Sequence, residues 1–203
     1  MTRHLPESDR REQILNAARD VFIEEGYLQA RVQDVARRAG LSKGAVYFYY
    51  PSKRDIFMAL IHQEHEDTYA FLARAETDPR PAAALLVELG QKYLDYFAPE
   101  NPVARFFLMI TEQGIRDEEI REELQAVHQH FVEAATRLVA QGIAEGAFRK
   151  TDPVAVAILV KAIIDGLAGQ AAIGIAHDRA MLAREGLAVI LQGLMVQGRA
   201  RTP

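Results

Sequence analysis

Apolar residues in this chain recur three and four positions apart along almost its whole length, and no alternating apolar–polar pattern lasts more than a few residues. That period predicts an all-α fold of about nine helices, each burying one stripe against its neighbours. Asp9, with Glu12 three residues on, reads as the cap of a first helix carrying Ile14, Leu15, Ala18, Val21 and Phe22 and stopping at Gly26. A second helix carries Val32, Val35, Ala36 and Ala39 and stops at Gly40. Only Gly40 and Leu41 separate it from Ser42, the cap of a short third helix ending near Tyr50-Pro51, so the pair reads as a helix-turn-helix. Ser52 and Asp55 form a capping box for a fourth helix. Further helices are expected from Pro81 to Phe97, from Pro102 to Gly114, from Asp117 to the turn at Gly146, after Asp152-Pro153, and after Asp178.

Charge divides the chain. Residues 31–54 hold six basic side chains against one acid, Asp34, whereas residues 61–203 hold 14 basic and 20 acidic ones. The net charge of −4 excludes a chain coated in positive charge, so a polyanion would meet the front module alone. The other reading of that module is a solvated basic face. With 203 residues, 49% of them hydrophobic, the chain can bury one core or two small ones. Zero Cys excludes disulfides, thiolate zinc sites, iron–sulfur clusters and cysteine nucleophiles. The N-terminus lacks an apolar signal region, and the longest apolar run, Pro153 to Leu167, is broken by Lys161 and Asp165. A cytoplasmic protein with no membrane span is expected, its apolar helix buried in protein.

A helix that reads DNA must anchor one face in its own domain and offer flat or short side chains and phosphate donors on the other. Residues 42–50, Ser-Lys-Gly-Ala-Val-Tyr-Phe-Tyr-Tyr, fit that need. Val46 and Tyr50 lie four apart as anchors, Lys43 and Tyr47 share another face, and Gly44 and Ala45 leave room for close approach.

The stretch from Gln13 to Phe57 resembles the DNA-binding domain of the TetR family of transcriptional regulators. The resemblance rests on Ile14-Leu15-x-Ala17-Ala18, Phe22-x-x-x-Gly26-Tyr27, Val32-x-Asp34-Val35-Ala36-x-x-Ala39-Gly40-Leu41-Ser42-Lys43-Gly44-Ala45-Val46-Tyr47 and Tyr50-Pro51-Ser52-Lys53. It implies a homodimeric repressor of a palindromic, double-stranded operator. Residues 1–54 would read DNA, and residues 55–203 would bind a small effector and dimerise. By that resemblance Lys43, Gly44, Ala45, Tyr47 and Phe48 meet the major groove, and Tyr47, Tyr49 and Lys53 lie near phosphates. Ser42 caps the helix, with or without a phosphate contact. Two positions depart from the pattern. Ala30-Arg31 replaces a hydroxyl cap, putting a cation at a helix N-terminus where a phosphate would offset it; the alternative is an Arg extended into solvent. Ala45 stands where relatives often carry Thr, leaving a methyl group for thymine.

The body holds more aromatic side chains than helix layers need: Tyr69, Phe71, Tyr93, Tyr96, Phe97, Phe106, Phe107 and Phe131, with Met109. A cavity lined by Tyr93, Phe97, Phe106, Phe107 and Phe131 is expected to take an apolar effector such as an acyl chain or aromatic compound. Its polar groups are sought among Gln113, Arg116, His128 and Asp165. Small residues from Gly166 to Gly174 permit close helix approach, and Ile163, Leu167, Ile173, Leu187, Ile190 and Leu194 are the expected dimer contacts. His62-x-x-His65 shares a helix face but lacks an evident third ligand, so neither a metal nor a cofactor is expected. Asp117, Glu118 and Glu119 suit a helix N-terminus, and no nucleophile–base pair points to an enzyme. A second reading is a DNA-binding regulator, repressor or activator, controlled by a protein partner.

Overall fold

A computed structural model describes residues 6–75, 77–98 and 101–196, without the side chains of residues 67–69. The Tyr69 side chain, Pro99 and Glu100 therefore lie outside what is described. Nine helices follow one another with no strand among the described residues. They are α1 (Glu7–Glu25), α2 (Val32–Arg38), α3 (Lys43–Tyr49), α4 (Lys53–Ala75), α5 (Ala82–Tyr96), α6 (Val103–Arg116), α7 (Glu118–Ala144), α8 (Pro153–Ala172) and α9. The last runs without a break through Arg179–Met181, a π-helical turn at Leu182–Gly186, and Leu187–Leu194.

Helix ends follow the expected chemistry with two exceptions. Ser42, Asp117, Asp152 and Asp178 each cap through their side chains, and Ser52 exchanges hydrogen bonds with Asp55. Gly26 and Gly40 both take positive φ, which only glycine adopts without strain. Asp9, however, does not cap α1. The helix begins at Glu7 behind Pro6, and Asp9 sits in its first turn, where the dipole favours an acid. Nor does Gly114 end α6, which continues to Arg116; a Cβ there would stand 2.7 Å from the Leu124 side chain, so this glycine serves the packing of α6 on α7.

Ile14, Ala18 and Phe22 of α1 pack with Val35 of α2 and Val46 of α3, and Ile56, Phe57, Leu60 and Ile61 of α4 close the same core. Phe106 and Ile110 of α6 and Ile120 and Val127 of α7 join it, so the three-helix head and the body share one apolar interior. Two more clusters fill the body, one around Phe71, Leu89, Phe131 and Ile164, the other around Leu85, Leu138, Phe148 and Leu194.

The outermost helices differ from expectation. Within one chain α8 is not wrapped in protein: only Ala157, Ile164 and Ala168 are buried, and Leu159 is 64% exposed. It is also the one described helix long and apolar enough to cross a membrane. Of the expected dimer contacts, Ile163 and Ile173 face outward, and Leu167 is half-buried. Leu187, Ile190 and Leu194 turn inward instead. Leu194 is buried, Ile190 packs on its cluster, and Leu187 lies where a Cβ on Gly90 of α5 would meet it at 2.5 Å. The stripe of α9 thus packs in part against its own chain, with Leu187 and Ile190 left half-buried.

Glycine also fixes the end of α7. A Cβ on Gly142 would lie 2.2 Å from the ring of Phe148, which is fully buried in the turn after the helix. Gly142→Ala is expected to cost about 2 kcal/mol through overpacking, read as a fall in Tm; an unchanged Tm would contradict the contact.

Candidate DNA-reading helix and the cavity behind it

The Val46 side chain is buried and anchors α3, while Ser42 accepts a hydrogen bond from the Ala45 amide at 3.1 Å and fixes its start. The opposite face points away from the chain: Phe48 is 80% exposed and Tyr47 is exposed beside Lys43, whose ammonium stands 5.6 Å from the Tyr47 ring. Lys43 and Gly44 are exposed and Ala45 half-exposed. Tyr49 is held edge-on to Phe48 at 5.1 Å, and the Arg11 guanidinium donates to its carbonyl at 3.3 Å. Arg31 occupies the cap position of α2 without a side-chain cap and is exposed.

Lys53 makes contacts that the sequence does not announce. Its ammonium donates to the carbonyls of Tyr27 at 2.7 Å, Ala30 at 3.0 Å and Leu28 at 3.2 Å, and stands 4.7 Å from the Tyr27 ring. All three protons are engaged, so Lys53 ties the α1–α2 loop to α4. Arg54 next to it reaches the body. Its guanidinium forms a fork with Asp117 at 2.5 and 2.7 Å and meets Glu119 at 2.7 Å, joining the start of α4 to the start of α7.

Behind the head, α4, α5, α6, α7 and α8 enclose a cavity. Tyr93, Phe97, Phe106, Phe107, Phe131 and Asp165 border it as expected; Gln113 is buried elsewhere, and Arg116 and His128 are exposed. Three charged or titratable groups on its wall went unforeseen as effector-site residues: Glu64, His65 and Lys161. Lys161 had read as an interruption of an apolar run, yet its side chain is only 12% exposed and pairs with Asp165 one turn on. Tyr96, expected only as an aromatic, donates its hydroxyl to Glu64, whose other oxygen stands 2.5 Å from the Arg19 guanidinium of α1. Burial, with the Glu64 carboxylate, pushes the Tyr96 phenol up, so it remains a donor. Burial also lowers His65, leaving it neutral at pH 7, with its Nδ1 2.7 Å from the Ile61 carbonyl. Free space is small, about 40 Å³, because the side chains fill it.

Tyr93 and Ile164 also border a second chamber between α5, α8 and α9, with about 160 Å³ of free space. No charged residue lines it, and Leu182, Gly186 and Leu187 of the π-turned helix form one side. Among the described residues no group of His, Asp and Glu is arranged to hold a metal ion.

The Arg54 guanidinium and the Ile120 amide hold the Asp117 carboxyl down at about 2. An unfolded Asp titrates near 3.9, so the stabilisation from this pair is present above roughly pH 4 and is lost as pH falls through 2. Arg54→Met is expected to flatten the decline of Tm across that window; a decline as steep as in the parent would show that the fork contributes nothing.

Comparison with known proteins accounts for both halves of the chain. Residues 14–60 match the family described as "Bacterial regulatory proteins, tetR family", and residues 81–195 match "BetI-type transcriptional repressor, C-terminal". The regulator YfiR of Bacillus subtilis is 30% identical over 149 residues, covering 72% of this chain and 71% of that protein. Among solved structures, a transcriptional regulator from Saccharomonospora viridis in complex with choline superposes with a TM-score of 0.76 at 20% identity, over 94% of this chain and 100% of the other. FadR from Bacillus subtilis in complex with stearoyl-CoA superposes with a TM-score of 0.75 at 21% identity, over 90% and 98%. The chain, with its helix-turn-helix head and BetI-type body, belongs to the TetR family of bacterial transcriptional regulators.

Proposed function

We propose that this regulator is a homodimeric repressor, working in the cytoplasm, that leaves its operator when a small, largely apolar effector enters the body. Residues 1–54 form the DNA-reading unit and residues 55–203 the effector and dimer unit. The observation that carries this reading is the line from Tyr96 on the cavity wall through Glu64 of α4 to Arg19 of α1. A ligand that moves Tyr96 alters the ion pair that seats the head on α4. Glu64 is only 8% exposed, so a lost partner leaves a buried charge uncompensated and has a free-energy consequence in the head.

Lys43, Gly44, Ala45, Tyr47 and Phe48 would enter the major groove, and Tyr49 and Arg31 would lie along phosphates. Ser42 is the helix cap. A second copy would cover the exposed apolar face of α8, at Leu159, Ile163 and Ile173, setting the two heads on a palindromic site. Val189 of α9, 69% exposed, extends that face in place of the inward-turned Leu187, Ile190 and Leu194. The choline and stearoyl-CoA complexes of the two structurally similar regulators are in keeping with a small-molecule effector.

Selection of bound duplexes from a random pool at near-physiological salt is expected to enrich an inverted repeat; general, salt-sensitive binding without enrichment would overturn the repressor reading. On that repeat, Arg31→Ala is expected to lower the slope of log affinity against log salt by about one, whereas Lys53→Met lowers Tm and leaves the slope unchanged. Tyr96→Phe is expected to keep operator affinity within about threefold while blunting release by effector; full release would remove Tyr96 from the coupling.

A further inference from the structure

The aromatic cavity holds its own counter-ion. The Lys161 ammonium stands 6.0 Å from the Phe107 ring centre and 5.8 Å from that of Phe131, with the Asp165 carboxylate against it. Two rings and a carboxylate therefore secure one cation. The carboxylate is the looser member: the Asp165 side chain is 35% exposed against 12% for Lys161, so it can turn to water while the ammonium stays between the rings. With both in place the free space of about 40 Å³ admits little more than water. Past Tyr93 and Ile164, however, lies the uncharged chamber of about 160 Å³.

Building on the effector reading above, we infer that the effector is a carboxylate that takes the place of Asp165 on Lys161. Its apolar body passes Tyr93 and Ile164 into the second chamber. An apolar cavity of about 150 Å³ accommodates benzene, which sets the body at roughly six to eight carbons. The exchange replaces one carboxylate by another, so no buried charge is left unpaired. A cationic head would instead have to expel a tethered, buried ammonium from its rings. The remaining titratable groups do not oppose an anion: Glu64 is held by Arg19 and Tyr96, and His65 is neutral.

Isothermal titration of the full chain with octanoate, 1-octanol and octyltrimethylammonium tests the head group, with Tm confirming that each variant is folded. Octanoate is expected to bind at least about tenfold more tightly than the other two, and Lys161→Met to abolish that preference. Asp165→Asn is expected to tighten octanoate binding several-fold by removing the competing carboxylate, an effect that a merely structural Asp165 would not produce. Equal or tighter binding of the alcohol or the ammonium compound, no binding of any probe, or weaker octanoate binding by folded Asp165→Asn would overturn the inference. Release of the selected duplex is measured separately. Octanoate that binds without releasing DNA would leave the ligand class standing and remove the regulatory reading.

Discussion

The structure depends on α4 belonging to two interiors. Its first half, at Ile56, Phe57, Leu60 and Ile61, completes the core of the head, and its second half, at Phe71 and Leu72, lies in the core of the body. A short three-helix unit buries little apolar surface by itself. Here it borrows the missing wall from α4, and α6 and α7 extend that wall with Phe106, Ile110, Ile120 and Val127. Because packed interiors resist continuous deformation, a shift of α4 relative to the body is felt in the head.

Ionic contacts along α4 act on top of that shared packing. Lys53 holds the loop before α2, Arg54 holds the start of α7, and Glu64 holds Arg19 on one side and Tyr96 on the other. These groups are spaced over little more than three turns. Head, body and cavity thus meet on one short stretch of one helix, while the exposed rings of α3 project away from it. The same chain separates the surface that reads a partner from the interior that could bias the reading.

Much of the fold was legible because helix ends are written locally. Ser42, Ser52, Asp117, Asp152 and Asp178 declare themselves by residue type and spacing, and the structure uses each as a cap. Helical period, by contrast, gives the stripe and not what covers it. Leu187, Ile190 and Leu194 form one apolar stripe whether they face a second chain or α5, and the room left by Gly90 for Leu187 is not visible in that period. The aromatic part of the cavity was readable as a surplus of rings, but Lys161 and Glu64 were not. A charged residue inside an apolar run looks like a solvent-facing interruption until its partners arrive from other helices. Lys53 shows the same limit: a lone basic side chain beside a DNA-reading helix carries no sign that three carbonyls of a distant loop are within its reach.

The π-turn in α9 has a consequence of its own. The Leu187 amide bonds back to the Leu182 carbonyl, five residues away instead of four, so one residue more than an α-helix needs is wound into the turn. Wound as ordinary α-helix, the same residues would rotate everything downstream by about 100°. Leu194 would then swing off Phe148, and the short antiparallel bridge between Phe148 and Met195 could not form. The register of the chain's C-terminal clip, and the wall of the uncharged chamber with it, is therefore set by a single surplus residue.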